Sequence, residues 1–143
     1  EALFYTNSIS SMSMLSVLAN RMEQQRSGQL VFISSVAGDR GRASNYAYGA
    51  SKAVVNTFLQ GMRVRLSRVG VQVLTVKPGF VDTPMTASIE KKGLLWAQPE
   101  TIAEGIERAL TKGKMEVYLP WFWRIIMGII VRIPNVIFNK LKL

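Results

Sequence analysis

A hydroxyl, a phenol and an ammonium stand at Ser35, Tyr48 and Lys52. Ser35 precedes the tyrosine by thirteen residues, and Lys52 follows it by four. Side chains four apart on a helix share a face, one turn from each other. The apolar run Leu30-Val31-Phe32-Ile33 ahead of the serine reads as a strand that delivers Ser35 to its carboxyl end. Brought together, three such groups can move a proton to or from the oxygen of a carbonyl or alcohol. A tyrosine with an ordinary pKa of about 10 is a poor base at neutral pH, and a neighbouring ammonium favours its charged form. Gly49 beside the tyrosine reads as room for a ligand, and Thr83 as a group able to bind a polar part of it.

The composition narrows the chemistry further. The 143 residues contain neither Cys nor His, which excludes thiolate catalysis, His-based triads, disulfides and the usual zinc sites. A cysteine-free chain fits the cytoplasm. The net charge is +9, from 18 basic and 9 acidic residues. The basic residues are spread, however: Arg63, Arg65 and Arg68 end one helix, and Arg124, Arg132, Lys140 and Lys142 lie in the tail. No zinc finger, RNA-binding signature or long basic run accompanies them, so no nucleic-acid partner is expected. An anionic membrane surface or solvated helix faces account better for the charge.

The elements that must position the three groups follow from periodicity. A helix is predicted from Leu3 to Arg26, closed by Gly28 as a left-handed cap, with Ile9, Met12, Leu15, Leu18 and Met22 as its buried stripe. A strand over 29–34 shows no alternation, which predicts cover on both faces. Residues 36–44 read as a loop, and a second helix is predicted over 45–69, with Val54, Val55, Phe58, Leu59, Met62 and Leu66 at helical spacing. A strand over 71–76 runs into Lys77-Pro78-Gly79. A polar loop over 81–98 carries Met85, Leu94, Leu95 and Trp96, Pro99 opens a third helix to Thr111, and 116–119 is a third strand. Alternation of strand and helix predicts an α/β fold, a doubly wound parallel sheet with right-handed crossovers. About three strands make a thin sheet for this architecture. With Glu1-Ala2-Leu3 at the start and no initiator methionine, the chain reads as beginning inside a fold.

Each residue alone has an ordinary structural explanation. Strand-end serines often satisfy backbone groups, a Tyr and a Lys four apart recur by chance, and Pro-Gly after a strand is usually a turn. In this order and on these elements they form a far less common pattern. It resembles the short-chain dehydrogenase/reductase family over residues 4–119, on Tyr5-Thr6-Asn7, Val31-Phe32-Ile33-Ser34-Ser35-Val36-Ala37-Gly38, Tyr48-Gly49-Ala50-Ser51-Lys52 and Lys77-Pro78-Gly79-Phe80-Val81-Asp82-Thr83. The resemblance implies a Rossmann-like fold, NAD or NADP as cofactor, and Asn7, Ser35, Tyr48 and Lys52 as the catalytic set. It prefers Ser35 to Ser34, because the family's serine directly precedes Val-Ala-Gly. Tyr48 and Lys52 would also bind cofactor, with Pro78, Gly79, Val81 and Thr83 lining the nicotinamide pocket, and Asn7 would hold a water in a proton relay through Lys52. The family's amino-terminal glycine-rich loop, which cradles the pyrophosphate, has no match here. The chain is therefore expected to be the carboxy-terminal half of such a reductase, with little or no turnover alone. The alternative is a non-catalytic nucleotide-binding or membrane-tethered scaffold of the same fold.

The division expected is a catalytic portion over 1–120 and a tail over 121–143. Ile125–Val131 is too short an apolar run to span hydrocarbon, which needs about 20 residues. On a helical wheel Arg124, Gly128, Arg132, Asn135, Asn139 and Lys142 form one polar stripe, and Pro134 should kink or split the helix. This pattern favours contact with a membrane surface, hence peripheral association; the competing expectation is a helix packed on its own domain or across a dimer. The apolar residues of the 81–98 loop suit a lipophilic carbonyl or alcohol substrate. By analogy with the family, the two long helices suit a homo-oligomer.

Overall fold

The computed structural model describes residues 1–89 and 93–141. Three parallel strands, β1 (Gln29–Ile33), β2 (Gln72–Pro78) and β5 (Glu116–Leu119), form a sheet in the order β1-β2-β5. Register pairs Ile33 with Val76 and Pro78 with Leu119, so the carboxyl ends of all three strands open on one rim. A shorter parallel pair, β3 (Phe80–Val81) and β4 (Trp96–Ala97), ties down a segment that sequence pattern predicts as loop. Its two strands are too short to carry a periodic signal.

Helices cover both faces of the sheet, as a doubly wound fold requires. The first helix is continuous over residues 2–25, and the helix Tyr46–Ser67 packs beside it. Leu15 and Ala19 of the first meet Val55, Leu59, Met62 and Leu66 of the second, over Leu30 and Val73 of the strands. On the opposite face Ile102 and Ala109 of the helix Pro99–Thr111 cover Leu74 and Val76. Alternate residues of β2 thus feed two cores, the period-2 consequence of a pleated strand.

Three local expectations are corrected. Ile9 and Leu18 face outward, and the buried positions of the first helix are Leu15 and Ala19 with the buried Ser8. Met12 and Met22 pack against the same core as Leu15, as their spacing predicts, while the close approach of the two helices places small side chains at Ser8 and Ala19. The left-handed residue closing this helix is Arg26 (φ 54°) rather than Gly28. Gly28 has φ 140° and admits no Cβ, which would fall 2.7 Å from Met22 Sδ. On β1 only Leu30 is buried, while Ile33 is 54% exposed, so the continuous apolar run is covered on one face alone among the described residues.

From Trp121 the chain forms the helix Trp123–Ile130 and, after Pro134, a single turn at Asn135–Phe138. The split at Pro134 matches expectation. Trp123 and Met127 bury against Val36, with Phe80, Tyr118, Ile126 and Ile130 around them. Arg40 fastens the far end: its guanidinium donates to the carbonyls of Ile130 and Ile133 at 2.7 Å each and lies 3.8 Å from the Phe138 ring centroid. One face of the tail therefore packs on the domain. Trp121 (71% exposed), Ile125, Ile129, Val136 and Ile137 remain outside. No described helix is long and apolar enough to cross a membrane.

Candidate active site

Strand pairing brings the ends of β1 and β2 side by side, and the backbone amide of Ser34 still bonds to Val76 O at 2.7 Å. The next residue leaves the sheet. Ser35 caps the short turn Val36–Gly38, its Oγ accepting the Ala37 N–H at 3.1 Å. Both serines border a cavity, but Ser34 Oγ is committed to Asn56 Oδ1, donating at 2.6 Å, whereas the Ser35 hydroxyl proton has no acceptor among the described residues.

Gly49 explains how the tyrosine helix reaches that turn. A Cβ at this position would fall 2.7 Å from Ala37 O. Its missing side chain makes room for the neighbouring backbone, not for a ligand as the sequence suggested. Tyr48 and Lys52 project from this docked end. The Lys52 ammonium bonds to Ile33 O at 3.3 Å and lies 5.7 Å from the Tyr48 ring centroid. Burial pulls its pKa below the ordinary lysine value. Among the described residues no carboxylate touches it.

A cavity of about 510 Å³ collects Ser35, Tyr48, Lys52, Pro78, Gly79, Val81 and Thr83 at the carboxyl rim of the sheet. This is the crevice in which ligands of open parallel sheets bind. Asn7 is not in its wall. It lies in a π-helical segment, Tyr5–Ile9, where the Ser10 N–H reaches five residues back to Tyr5 O. Such wide turns often mark functional positions. Asn7 Nδ2 donates to Ser51 Oγ at 3.3 Å, and Ser51 Oγ donates to Tyr48 O at 2.7 Å. Asn7 thus reaches the tyrosine's backbone through Ser51.

Several residues of this region have roles that the motifs did not assign. Ser51 is fully buried and links two helices. Thr86 folds the entrance segment, donating to Val81 O at 2.6 Å and accepting the Thr83 N–H at 3.1 Å. The Thr83-x-x-Thr86 spacing, a capping arrangement, was its available signal. Trp123 comes from the tail, and a Cβ on Gly79 would fall 1.9 Å from its Nε1. Lys77, 5% exposed, sits beneath the rim with Asp39 at 2.8 Å and Glu116 at 2.9 Å.

The short chain dehydrogenase family model matches residues 1–93. The chain belongs to that family. An uncharacterized oxidoreductase of Mycobacterium tuberculosis is 35% identical over 140 residues, 98% of this chain and 56% of that protein. One from Myxococcus xanthus is 33% identical over 134 residues, 94% of this chain and 53% of its own length. The chain spans about half the length of these curated relatives. Among solved structures, a short chain dehydrogenase from Burkholderia cenocepacia, in complex with NADP, superposes with a TM-score of 0.82 at 20% identity, covering 96% of this chain and 56% of that one. At that identity the likeness speaks for the fold.

Proposed function

We propose that this chain is the catalytic half of an NAD(P)-dependent oxidoreductase that interconverts a carbonyl and an alcohol on a lipophilic substrate. The observation that carries this reading is the convergence of Ser35, Tyr48, Lys52 and the Pro78–Thr83 segment on one cavity. The residues suit a nicotinamide nucleotide: a half-buried ammonium with one long carbonyl contact has donors to spare for ribose hydroxyls. The bound cofactor would supply or accept the hydride. Tyr48 gives or takes the hydroxyl proton as general acid or base. Ser35 Oγ already accepts the Ala37 N–H, so its own proton is free to bond the substrate oxygen. Lys52 stabilises charge beside the phenol, and Asn7 steadies the helix turn through Ser51. β1 is an edge strand with one exposed face among the described residues, which supports a whole protein in which further strands pair with that edge and the dinucleotide cradle completes the sheet.

Tyr48→Phe in the full-length protein tests this directly. Turnover, followed by nicotinamide absorbance, should fall by roughly 10²- to 10⁴-fold while cofactor affinity is kept. Unchanged turnover would sink the reading, and absence of turnover in both proteins would favour the scaffold alternative.

A second reading, peripheral membrane contact, rests on the exposed Trp121, Ile125, Ile129, Val136 and Ile137 of the tail. Replacing Trp121, Ile125 and Ile129 by Ser leaves the buried Trp123 and Met127 in place and should abolish co-sedimentation with anionic vesicles. A homo-oligomer through the first two long helices, whose Ile9, Met14, Val17 and Val54 are exposed, is the corresponding proposal for self-association.

A further inference from the structure

A second cavity, about 250 Å³, shares Ser35, Tyr48, Gly79, Met85 and Thr86 with the larger one, and Lys52 is not in its wall. Phe80, Met85 and Ile89 make much of its wall apolar. Into this wall the chain sets two nitrogen donors that have no acceptor, Arg42 Nε and Trp123 Nε1, both buried.

Arg42 differs from the other inward-turned arginines. Arg40 ties down the tail through three hydrogen bonds and a ring contact. Arg63 bonds Val73 O, Thr75 Oγ1 and Met115 O across the sheet ends. The Arg42 side chain makes no hydrogen bond or ion pair among the described residues. Arg42 is half-buried: its terminal nitrogens reach solvent, but its Nε–H is enclosed in the cavity wall without an acceptor, which is costly for a group that stays protonated. Burial accordingly weakens its hold on that proton. Trp123 is 3% exposed, so its indole N–H is also withheld from solvent. Both features find compensation in an acceptor that arrives from outside.

We propose that the substrate of this site is an amphipathic ketone or secondary alcohol bearing a carboxylate, with Arg42 as the anion-recognising residue and the Trp123 N–H as a supporting dipole. The planar fork of a guanidinium matches a carboxylate. One cation and one neutral donor in an apolar cavity balance a single negative charge, not a dianionic phosphate. This inference rests on the oxidoreductase reading of the Tyr48 site, and it narrows the lipophilic substrate class to anions with an apolar body.

The test is calorimetric binding of 4-oxodecanoate and of its methyl ester to the protein, which needs no turnover. The carboxylate should bind roughly 10- to 100-fold tighter than the ester, the range of a charge-assisted hydrogen bond in a desolvated site. Arg42→Gln should erase that preference, Arg42→Lys should retain part of it, and Trp123→Phe should weaken carboxylate binding a few-fold. Since Arg42 has no internal partner to lose, Arg42→Gln should melt at the same temperature or higher. Equal binding of the two probes, no binding of either, a preference surviving Arg42→Gln, or a lowered melting temperature for that variant would each overturn the assignment. If the preference behaves as expected but Tyr48→Phe leaves turnover unchanged, the fault lies with the proton-transfer reading and not with Arg42.

Discussion

Two lysines flank the same turn and meet opposite fates. Lys77 is enclosed by Asp39, Glu116 and the Tyr118 hydroxyl, and that hydroxyl donates to Asp39 Oδ2 at 2.7 Å. Burial alone would lower the Lys77 pKa, but hydrogen bonds to Asp39 and Glu116 carry it well above the ordinary lysine range. Lys52 is half-buried beside Phe32 and Tyr48 with a single 3.3 Å carbonyl contact, and its pKa moves down. A saturated ammonium holds structure together; an unsaturated one is available to a ligand. The Lys77 cluster pins the turn after Ser35 to β2 and β5, and so fixes the platform on which the other lysine acts.

The sharpest way to break this contrast is Lys77→Met. It leaves the nearly buried Asp39 carboxylate without its cation, with only the Tyr118 hydroxyl bonded to it, and loss of one partner of a buried pair costs about 3–5 kcal/mol. Denaturant titration should show that drop. Lys52→Met should do the reverse: the full-length protein keeps or gains stability, since a desolvated ammonium is removed, while turnover falls by roughly 10²-fold or more. Equal stability losses in the two variants would abolish the distinction.

Gly79→Ala probes the boundary between the regions. Its Cβ would displace Trp123, an overpacking cost of about 1–3 kcal/mol, and carboxylate-probe binding should weaken with it. A silent substitution would mean that the indole moves freely.

The smallest effect is a pH dependence. Burial first, and then the bond to Asp39, push the Tyr118 phenol up to about 12. Tyr118 and Lys77 therefore both hold their protons more tightly when folded than when unfolded, where their values are near ~10 and ~10.4. Their contribution is complete below the unfolded values and is lost as pH rises through the folded ones. Thermal melts between pH 9 and 12, taken here as roughly spanning the unfolded pKa values, should show declining stability, with a shallower slope in Tyr118→Phe.

How much was legible depended on distance along the chain. The β1–turn–helix unit that carries Ser35, Tyr48 and Lys52 is local, and its helical and strand periods are visible in the residues themselves. Gly49 was equally visible but misread, because the backbone it accommodates belongs to Ala37, placed against it only by folding. Ile9 and Leu18 misled because hydrophobicity reports what prefers burial, while the helix contact at Ser8 and Ala19 selects what fits. The tail's pattern allows both a membrane-facing surface and a helix packed on the domain; which residues form the packed face is set by Val36, Phe80 and Tyr118, which seat Trp123.

The sequence by itself determined the elements, their alternation and the spacing of the proton-handling groups, since these follow from backbone period and residue type over a few turns. Tertiary structure alone decided which lysine is neutralised, which arginine is left without an anion, and which tryptophan floors the cavity. Partnership among polar groups depends on distances between segments far apart in the chain, and no local pattern encodes them.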